Sequence, residues 1–429
     1  MGMIFILILI LLIPAYMVQD LIHERMERQD EAIEEVSSKH ADSQLITGPI
    51  LTIPYITKKQ VKNVDGNYST ISERSFYHIL PGELNIDGKV TPEKRKRGIF
   101  EVVVYSSKLK VNGFFDNFDF EANRVPRDGL ELNKAFITVG ISDLKGVRDQ
   151  VIINVEDSSV MCNPGLISND IVSSGLHINY PLDSIPENMS FDFDISLNGS
   201  EQLMFAPIGK ITNVNLNSPW KEPSFDGVFL PKKRTIGENG FTANWKVLHL
   251  NRNYPQSWVG TKHHVNNSSF GVNLRLPVDV YQKSMRVAKY AILFIVLTYL
   301  VFFFVEILNH ILIHPIQYIL VGIALVLFYI LMLAFSEQMN FDLAYILAAL
   351  MTIGLVFLYC RSILKSWALS LMTASILLIL YGFIFIIIQM QDFALLFGSL
   401  GVFLILAVTM YFSRKVDWFD LIKIEEKES

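Results

Sequence analysis

Six apolar runs constrain this chain more than any other feature, because each is long enough to be read as a membrane crossing. A helix needs roughly 20 apolar residues to cross about 30 Å of hydrocarbon. The run 3–18 is slightly short but carries no charge, and 288–306, 315–335, 343–359, 367–388 and 393–412 are comparable or longer. The last five are apolar on all faces apart from isolated polar residues, which suits lipid better than a soluble core. Only 18% of the residues are charged, against about 25% in an ordinary soluble protein. Those charges concentrate between Asp20 and Lys289, so a watery part and an apolar part share one chain.

The first run lacks a basic leader, and Pro14-Ala15-Tyr16-Met17 is a poor cleavage site, so 1–19 reads as an uncleaved transmembrane anchor. Beyond it, Ile22, Met26, Ile33 and Val36 fall on one helical face among Glu and Arg, which predicts an amphipathic helical stalk over 20–43. Loop charges orient the chain. Arg361 and Lys365 follow the fourth run and Arg414 and Lys415 follow the sixth, whereas 336–340 and 389–391 contain neither Lys nor Arg. The first pair of loops is expected in the cytoplasm and the second pair outside. Both termini are then inside and the large domain outside, with Lys283, Arg286 and Lys289 as weak dissent.

Between 44 and 286 the pattern changes to short alternating runs. In Phe191-Asp192-Phe193-Asp194-Ile195-Ser196-Leu197 the apolar residues share one face and the polar ones the other, the period of a half-buried antiparallel strand. Asp65-Gly66, Asp87-Gly88, Asn112-Gly113, Asn198-Gly199 and Asp226-Gly227 read as turns. Many short strands predict a β-sandwich-like domain. The fold class is therefore an α+β membrane protein: an N-terminal transmembrane helix, a large β-sandwich-like extracytoplasmic domain over 44–286, a bundle of about five transmembrane helices over 287–412, and a cytoplasmic tail over 413–429.

Motifs for chemistry are scarce. The net charge of −5 gives no reason to expect nucleic acid. The basic run Lys94-Arg95-Lys96-Arg97 reads as a solvated turn. Two cysteines, Cys162 and Cys360, form neither a metal cluster nor a disulfide framework. His263 and His264 are adjacent and would face opposite ways on a strand. His78, His177 and His249 lack a Cys or carboxylate at ligand spacing and read as structural histidines. No nucleophile elbow, zinc-protease helix or phosphate loop is present, so no cofactor, metal or catalytic residue is assigned. Trp220, Trp245 and Trp258 read as core aromatics.

Polar groups near lipid carry more weight, since burying them there is costly. Glu306, His310 and His314 would share one face of a continuous helix, as a proton-sensitive or lipid-headgroup site. Alternatively they are interfacial residues ending one helix before Pro315 starts the next, the reading favoured here. Glu337, Asp342 and Asp392 form an acidic rim on the other side, either a cation or partner site or simply the exclusion of Lys and Arg from outer loops.

Several strings, taken in order, resemble the CreD family of bacterial inner-membrane proteins over nearly the whole chain. In the polar part they are Thr47-Gly48-Pro49-Ile50-Leu51-Thr52-Ile53-Pro54-Tyr55, Tyr77-His78-Ile79-Leu80-Pro81, Phe205-Ala206-Pro207-Ile208-Gly209 and Gly240-Phe241-Thr242-Ala243-Asn244-Trp245. In the apolar part they are Arg286-Val287-Ala288-Lys289-Tyr290, His314-Pro315-Ile316-Gln317-Tyr318, Phe341-Asp342-Leu343-Ala344-Tyr345 and Gln391-Asp392-Phe393-Ala394-Leu395. The resemblance implies a multi-pass inner-membrane protein with a periplasmic domain, linked to cell-envelope integrity and envelope-stress response, and carries over no catalytic residue. Its expected partners are membrane lipids and a periplasmic or membrane protein. The competing expectations are a transporter or lipid-handling component built on the helix bundle, and a membrane sensor. The short tail 413–429 argues against the sensor.

Overall fold

The computed structural model describes residues 2–62, 68–116, 118–274, 280–309, 311–390 and 393–414. They divide into two compact units, one of 31–277 and one of 1–30 with 278–429.

The first unit is a two-sheet β structure around one apolar core. Among the described residues a nine-stranded sheet runs, in spatial order, Ser224–Gly227, Phe270–Asn273, Gln202–Phe205, Gln44–Lys62, Phe136–Ile141, Gly175–Asn179 and Asn163–Pro164. Tyr68–Ile79 pairs with Gln44–Lys62 and with Ser257–Val259. An eight-stranded sheet runs Lys233–Gly237, Gly240–Leu248, Ile211–Ser218, Glu83–Arg97, Phe100–Phe115, Met189–Ser200, Ile152–Val155 and Ser158–Met161. The alternation read at 191–197 is what buries Phe191, Phe193, Ile195 and Leu197 and exposes Asp192 and Asp194. Trp245 of the second sheet meets Phe225 and Phe270 of the first at ring-centroid distances of 5.7 and 5.7 Å. The Tyr105 hydroxyl also crosses between sheets, donating to the Gln202 carbonyl at 2.6 Å.

Several local expectations are corrected here. Asp87-Gly88, Asn112-Gly113 and Asn198-Gly199 lie inside strands rather than at turns. Glycine serves there for close approach, not for bending: a Cβ on Gly113 would sit 2.0 Å from the Glu83 carbonyl oxygen, and one on Gly199 2.3 Å from the Tyr105 hydroxyl. Asp226-Gly227 does end a strand, with Gly227 at φ +98°; Asp65-Gly66 lies outside the described residues. The basic run 94–97 ends a strand instead of forming a solvated turn. Arg97 forks onto Glu35 at 2.8 and 2.9 Å, and Lys94 and Lys96 pair with Glu101. Hydrogen bonds from Lys39 and Arg97 hold the Glu35 carboxyl below its usual range. Trp245 and Trp258 are core residues, but Trp220 is only half-buried because it packs against the core's margin.

The second unit is helical. It contains the start of α1 (Gly2–His40), then α2 (Val280–Lys289), α3 (Ala291–Asn309), α4 (Pro315–Ser336), α5 (Phe341–Leu364), α6 (Trp367–Gln389) and α7 (Ala394–Ser413). Among the described residues α1, α3, α4, α5 and α6 are long and apolar enough to cross a membrane, and α7 contains a shorter apolar helix, Leu396–Tyr411. The helix starts follow from local chemistry: Asn340 accepts from the Leu343 N–H at 3.0 Å, and Ser366 from that of Leu369 at 3.5 Å. The bundle core is aromatic, with Phe294 and Phe328 at 4.5 and 4.7 Å from the Tyr381 ring. Tyrosine hydroxyls tie helices through backbone carbonyls, Tyr299 to Tyr318 at 2.6 Å and Tyr345 to Tyr381 at 2.8 Å.

Candidate functional sites

The break expected before Pro315 decides the geometry of the first candidate cluster. α3 ends at Asn309 and α4 begins at Pro315, so no continuous helix aligns Glu306 with His314; His310 lies outside the described residues. Pro315 suits the first helical position because its missing N–H would be unsatisfied there anyway. His314 caps α4: its Nδ1 accepts from the Ile316 N–H at 3.3 Å, while its own N–H donates to Gln317 Oε1 at 3.0 Å. Glu306 faces back into the connection, accepting from the Tyr318 hydroxyl at 2.6 Å and from the Ile313 N–H at 3.4 Å. Both groups are therefore engaged in closing the α3–α4 turn.

The acidic rim is likewise occupied by neighbours. Glu337, at the C-terminal cap of α4, lies 3.6 Å from Arg25 Nε and accepts from the Tyr281 hydroxyl at 3.3 Å. Asp342, in the first turn of α5, accepts from Gln389 at 2.7 Å and lies 4.0 Å from Lys283 Nζ. The Lys283 ammonium sits 5.3 Å from the centre of the Phe341 ring. Asp392 lies outside the described residues. Lys283, which dissents from the loop-charge rule, thus has a local task beside Asp342. Sequence spacing offered no signal for this, because the partners are 59 positions apart (342 − 283).

A cluster that the sequence did not join lies in the β unit. His78 is buried, with Nδ1 3.0 Å from Thr52 Oγ1 and Nε2 3.1 Å from Asp170 Oδ2. Asp170 is 92 residues away in sequence, which is why no carboxylate at ligand spacing was visible. The array has the connectivity of a hydroxyl–imidazole–carboxylate triad. Thr52 and His78 are each 2% exposed, so a substrate has no access to the hydroxyl. Among the described residues no three His, Cys, Asp or Glu side chains are grouped as a metal ion requires.

The His78 hydrogen bond holds the Asp170 carboxyl below its ordinary value, against the opposing effect of burial. Stability from the ionised carboxylate is then fully present above the unfolded value of about 3.9 and is lost as pH falls through the lower folded value. Asp170→Asn should flatten this dependence. Melting curves of the two proteins are expected to differ at pH 6 and converge toward pH 3; parallel curves would remove Asp170 from the account.

The helical unit also holds an apolar cleft of about 860 Å³ between α3, α6 and α7, with Val301, Phe304, Ile376, Phe383, Leu400 and Leu404 among its walls. Elsewhere in the bundle, the hydroxyls of Tyr329 and Tyr381 are buried with no hydrogen-bond partner among the described residues.

Together these features define a polytopic membrane protein bearing a large β-structured unit, with Glu306, His314, Glu337 and Asp342 engaged in caps and pairs. The family model described as Inner membrane protein CreD matches residues 1–419. The Inner membrane protein CreD of Escherichia coli (strain K12) is 32% identical over 420 residues, covering 96% of this chain and 91% of that protein. The chain belongs to the CreD family of inner membrane proteins.

Proposed function

We propose that this protein is a non-enzymatic inner-membrane component supporting cell-envelope integrity and the response to envelope stress, and that its β unit lies in the periplasm and contacts an envelope component or partner. The observation that carries this reading is the combination of a large β unit with sealed polar chemistry. The triad-like array of Thr52, His78 and Asp170 is inaccessible, and the outward sheet surface is broad and polar. Deletion is expected to sensitise cells to detergents and envelope-directed antibiotics. An unchanged phenotype across such a panel counts against the reading.

The proposed orientation, with both termini cytoplasmic, has a direct test. Cys162 is half-buried with its thiol pushed up to about 11 by burial, and Cys360 is buried, so neither should react readily at neutral pH. Lys262→Cys places a thiol at an exposed position. It should be labelled by an impermeant maleimide in cells with a permeabilised outer membrane; labelling only after lysis would invert the topology.

A second reading, lipid handling, is favoured by the α3–α6–α7 cleft. Its apolar walls suit an acyl chain and not a polar solute. Glu306 and Asp342 act in either reading as caps and pair members, so Glu306→Gln and Asp342→Asn should still complement a deletion strain. Loss of complementation at normal expression would assign them a direct role in transport.

A further inference from the structure

We infer that the outward face of the eight-stranded sheet binds an acidic polysaccharide, a chain of hydroxyl-rich sugar rings bearing carboxylates. This rests on the reading that the β unit contacts an envelope component, and it names the chemistry of that component. The strand register carries the argument. One row across the sheet reads Lys233, Asn244, Asn215, Asp87, Lys110, Asp194. The row beside it reads Thr235, Thr242, Asn217, Lys89, Lys108, Ser196, and on the other side lies Lys246, Asn213, Asn85, Asn112, Asp192. Neighbouring side chains within a row are one strand apart, about 4.8 Å, comparable to the size of a sugar ring.

Two features of this face are not those of an ordinary solvated sheet. Asn is disfavoured in strands, yet Ile211–Ser218 places one in each of the three rows, at 213, 215 and 217. Its amides are also already ordered: Asn244 donates to Asn215 at 2.6 Å, Asn215 to Asp87 at 2.7 Å, and Asn213 to Asn85 at 2.8 Å. Each amide offers both donors and acceptors, as a hydroxyl-rich ligand requires. The second feature is electrostatic. Lys89 stands directly opposite Lys108, a like-charge cross-strand pair that destabilises a sheet. Lys110 follows Lys108 two residues on along the same face. Among the described residues no carboxylate lies within ion-pairing distance of these three ammonium groups, and Asp87, opposite Lys110, is held by Asn215. An anion laid between them removes the repulsion.

A shallow concavity of about 430 Å³ lies over this junction, lined by Asp87, Lys89, Lys108, Lys110, Asn215 and Asn217 among others. Beneath it Leu109, Val111, Val214 and Leu216 are buried, so the platform is rigid. The rows lack the aromatic and aliphatic anchors that dominate protein–protein contacts. Asp87, Asp192 and Asp194 on the same face oppose a uniformly charged polyanion, which leaves a ligand whose charges are spaced by neutral hydroxyls.

The test titrates the full chain in detergent micelles with tetragalacturonate, with maltotetraose as the uncharged sugar and tetraglutamate as the acid without sugar hydroxyls. Tetragalacturonate is expected to bind more tightly than either control. Lys89→Ser/Lys108→Ser should weaken it at least about tenfold through lost charge-assisted hydrogen bonds. Asn215→Thr/Asn217→Thr should weaken it by a factor of about five, with melting temperature retained in both variants. No binding at about 10 mM, or equal binding of tetraglutamate that the Asn changes leave untouched, overturns the inference. If binding fails while deletion still sensitises cells, the polysaccharide inference falls and the envelope role stands; if deletion is silent, the envelope role falls.

Discussion

Arg252→Met is expected to destabilise the β unit by roughly 3–5 kcal/mol, the scale for removing one partner of a buried charged network. Arg252 is 8% exposed, and its charge is met by carbonyls rather than by a carboxylate. It donates to Tyr254 O at 2.6 Å, Ile208 O at 3.0 Å and Gly209 O at 3.4 Å, and to Gln256 Oε1. Gln256 passes the connection on to Pro81 O at 2.8 Å. Burial pushes the guanidinium down to about 10, which leaves it protonated at neutral pH. Methionine fills similar volume and donates nothing, so Tyr254 O and Gln256 Oε1 lose this donor, while Ile208 O and Gly209 O keep only 3.4 Å bonds from Gln256 and Thr212. Arg252→Lys should recover only part of the loss, because an ammonium lacks the planar fork. Urea unfolding of the full chain, followed by tryptophan fluorescence, reads this unit through Trp245 and Trp258. A change below about 1 kcal/mol would mean that the loop holds itself without the clamp.

Gly322→Val should disrupt the packing of the helical unit, at about 1–3 kcal/mol for overpacking. A Cβ at 322 would lie 2.1 Å from Leu11 Cδ1 of α1 and 2.4 Å from the Tyr299 hydroxyl. Leu11 is itself buried, at 4% exposure. The Tyr299 hydroxyl is fixed by its bond to Tyr318 O, so the clash falls on a tie between helices. Small residues at membrane helix contacts let backbones approach closely, and that approach is what valine would deny. Gly354→Val supplies the control, since nothing lies within 4 Å of its would-be Cβ. Thermal unfolding in detergent should drop for the first variant and stay near wild type for the second. Equal effects would mean that helix propensity, not packing, is being measured.

The broad architecture was legible because it depends on periodicity and length. Apolar runs marked the helices, and Phe191 to Leu197 announced its buried face by alternation. Caps such as Asn340 and Ser366 stood just ahead of apolar runs, where a helix start needs them. Glycine was harder: Asn112-Gly113 carries the same letters whether the chain turns or another strand presses close, and only the partner strand distinguishes the two. The polar sites failed for a related reason. Asp170 beside His78 and Lys283 beside Asp342 are joined by folding across long stretches of chain, and spacing rules reach only a few residues. Likewise, the Asn rows became visible only once strand register placed residues 85, 112 and 213 in one row and residues 215 and 244 in the next.

The order of strands in the nine-stranded sheet also fixes when this unit can form. Gln44–Lys62 needs Gln202–Phe205 at its side, and that strand in turn needs Phe270–Asn273. In the other sheet Glu83–Arg97 runs parallel to Ile211–Ser218. Such long-range closures are slow and leave unpaired edges waiting. A nascent chain therefore holds its earliest strand incomplete until nearly the whole β unit has been synthesised. A chain whose synthesis stops before residue 270 is therefore expected to aggregate instead of forming a smaller working domain.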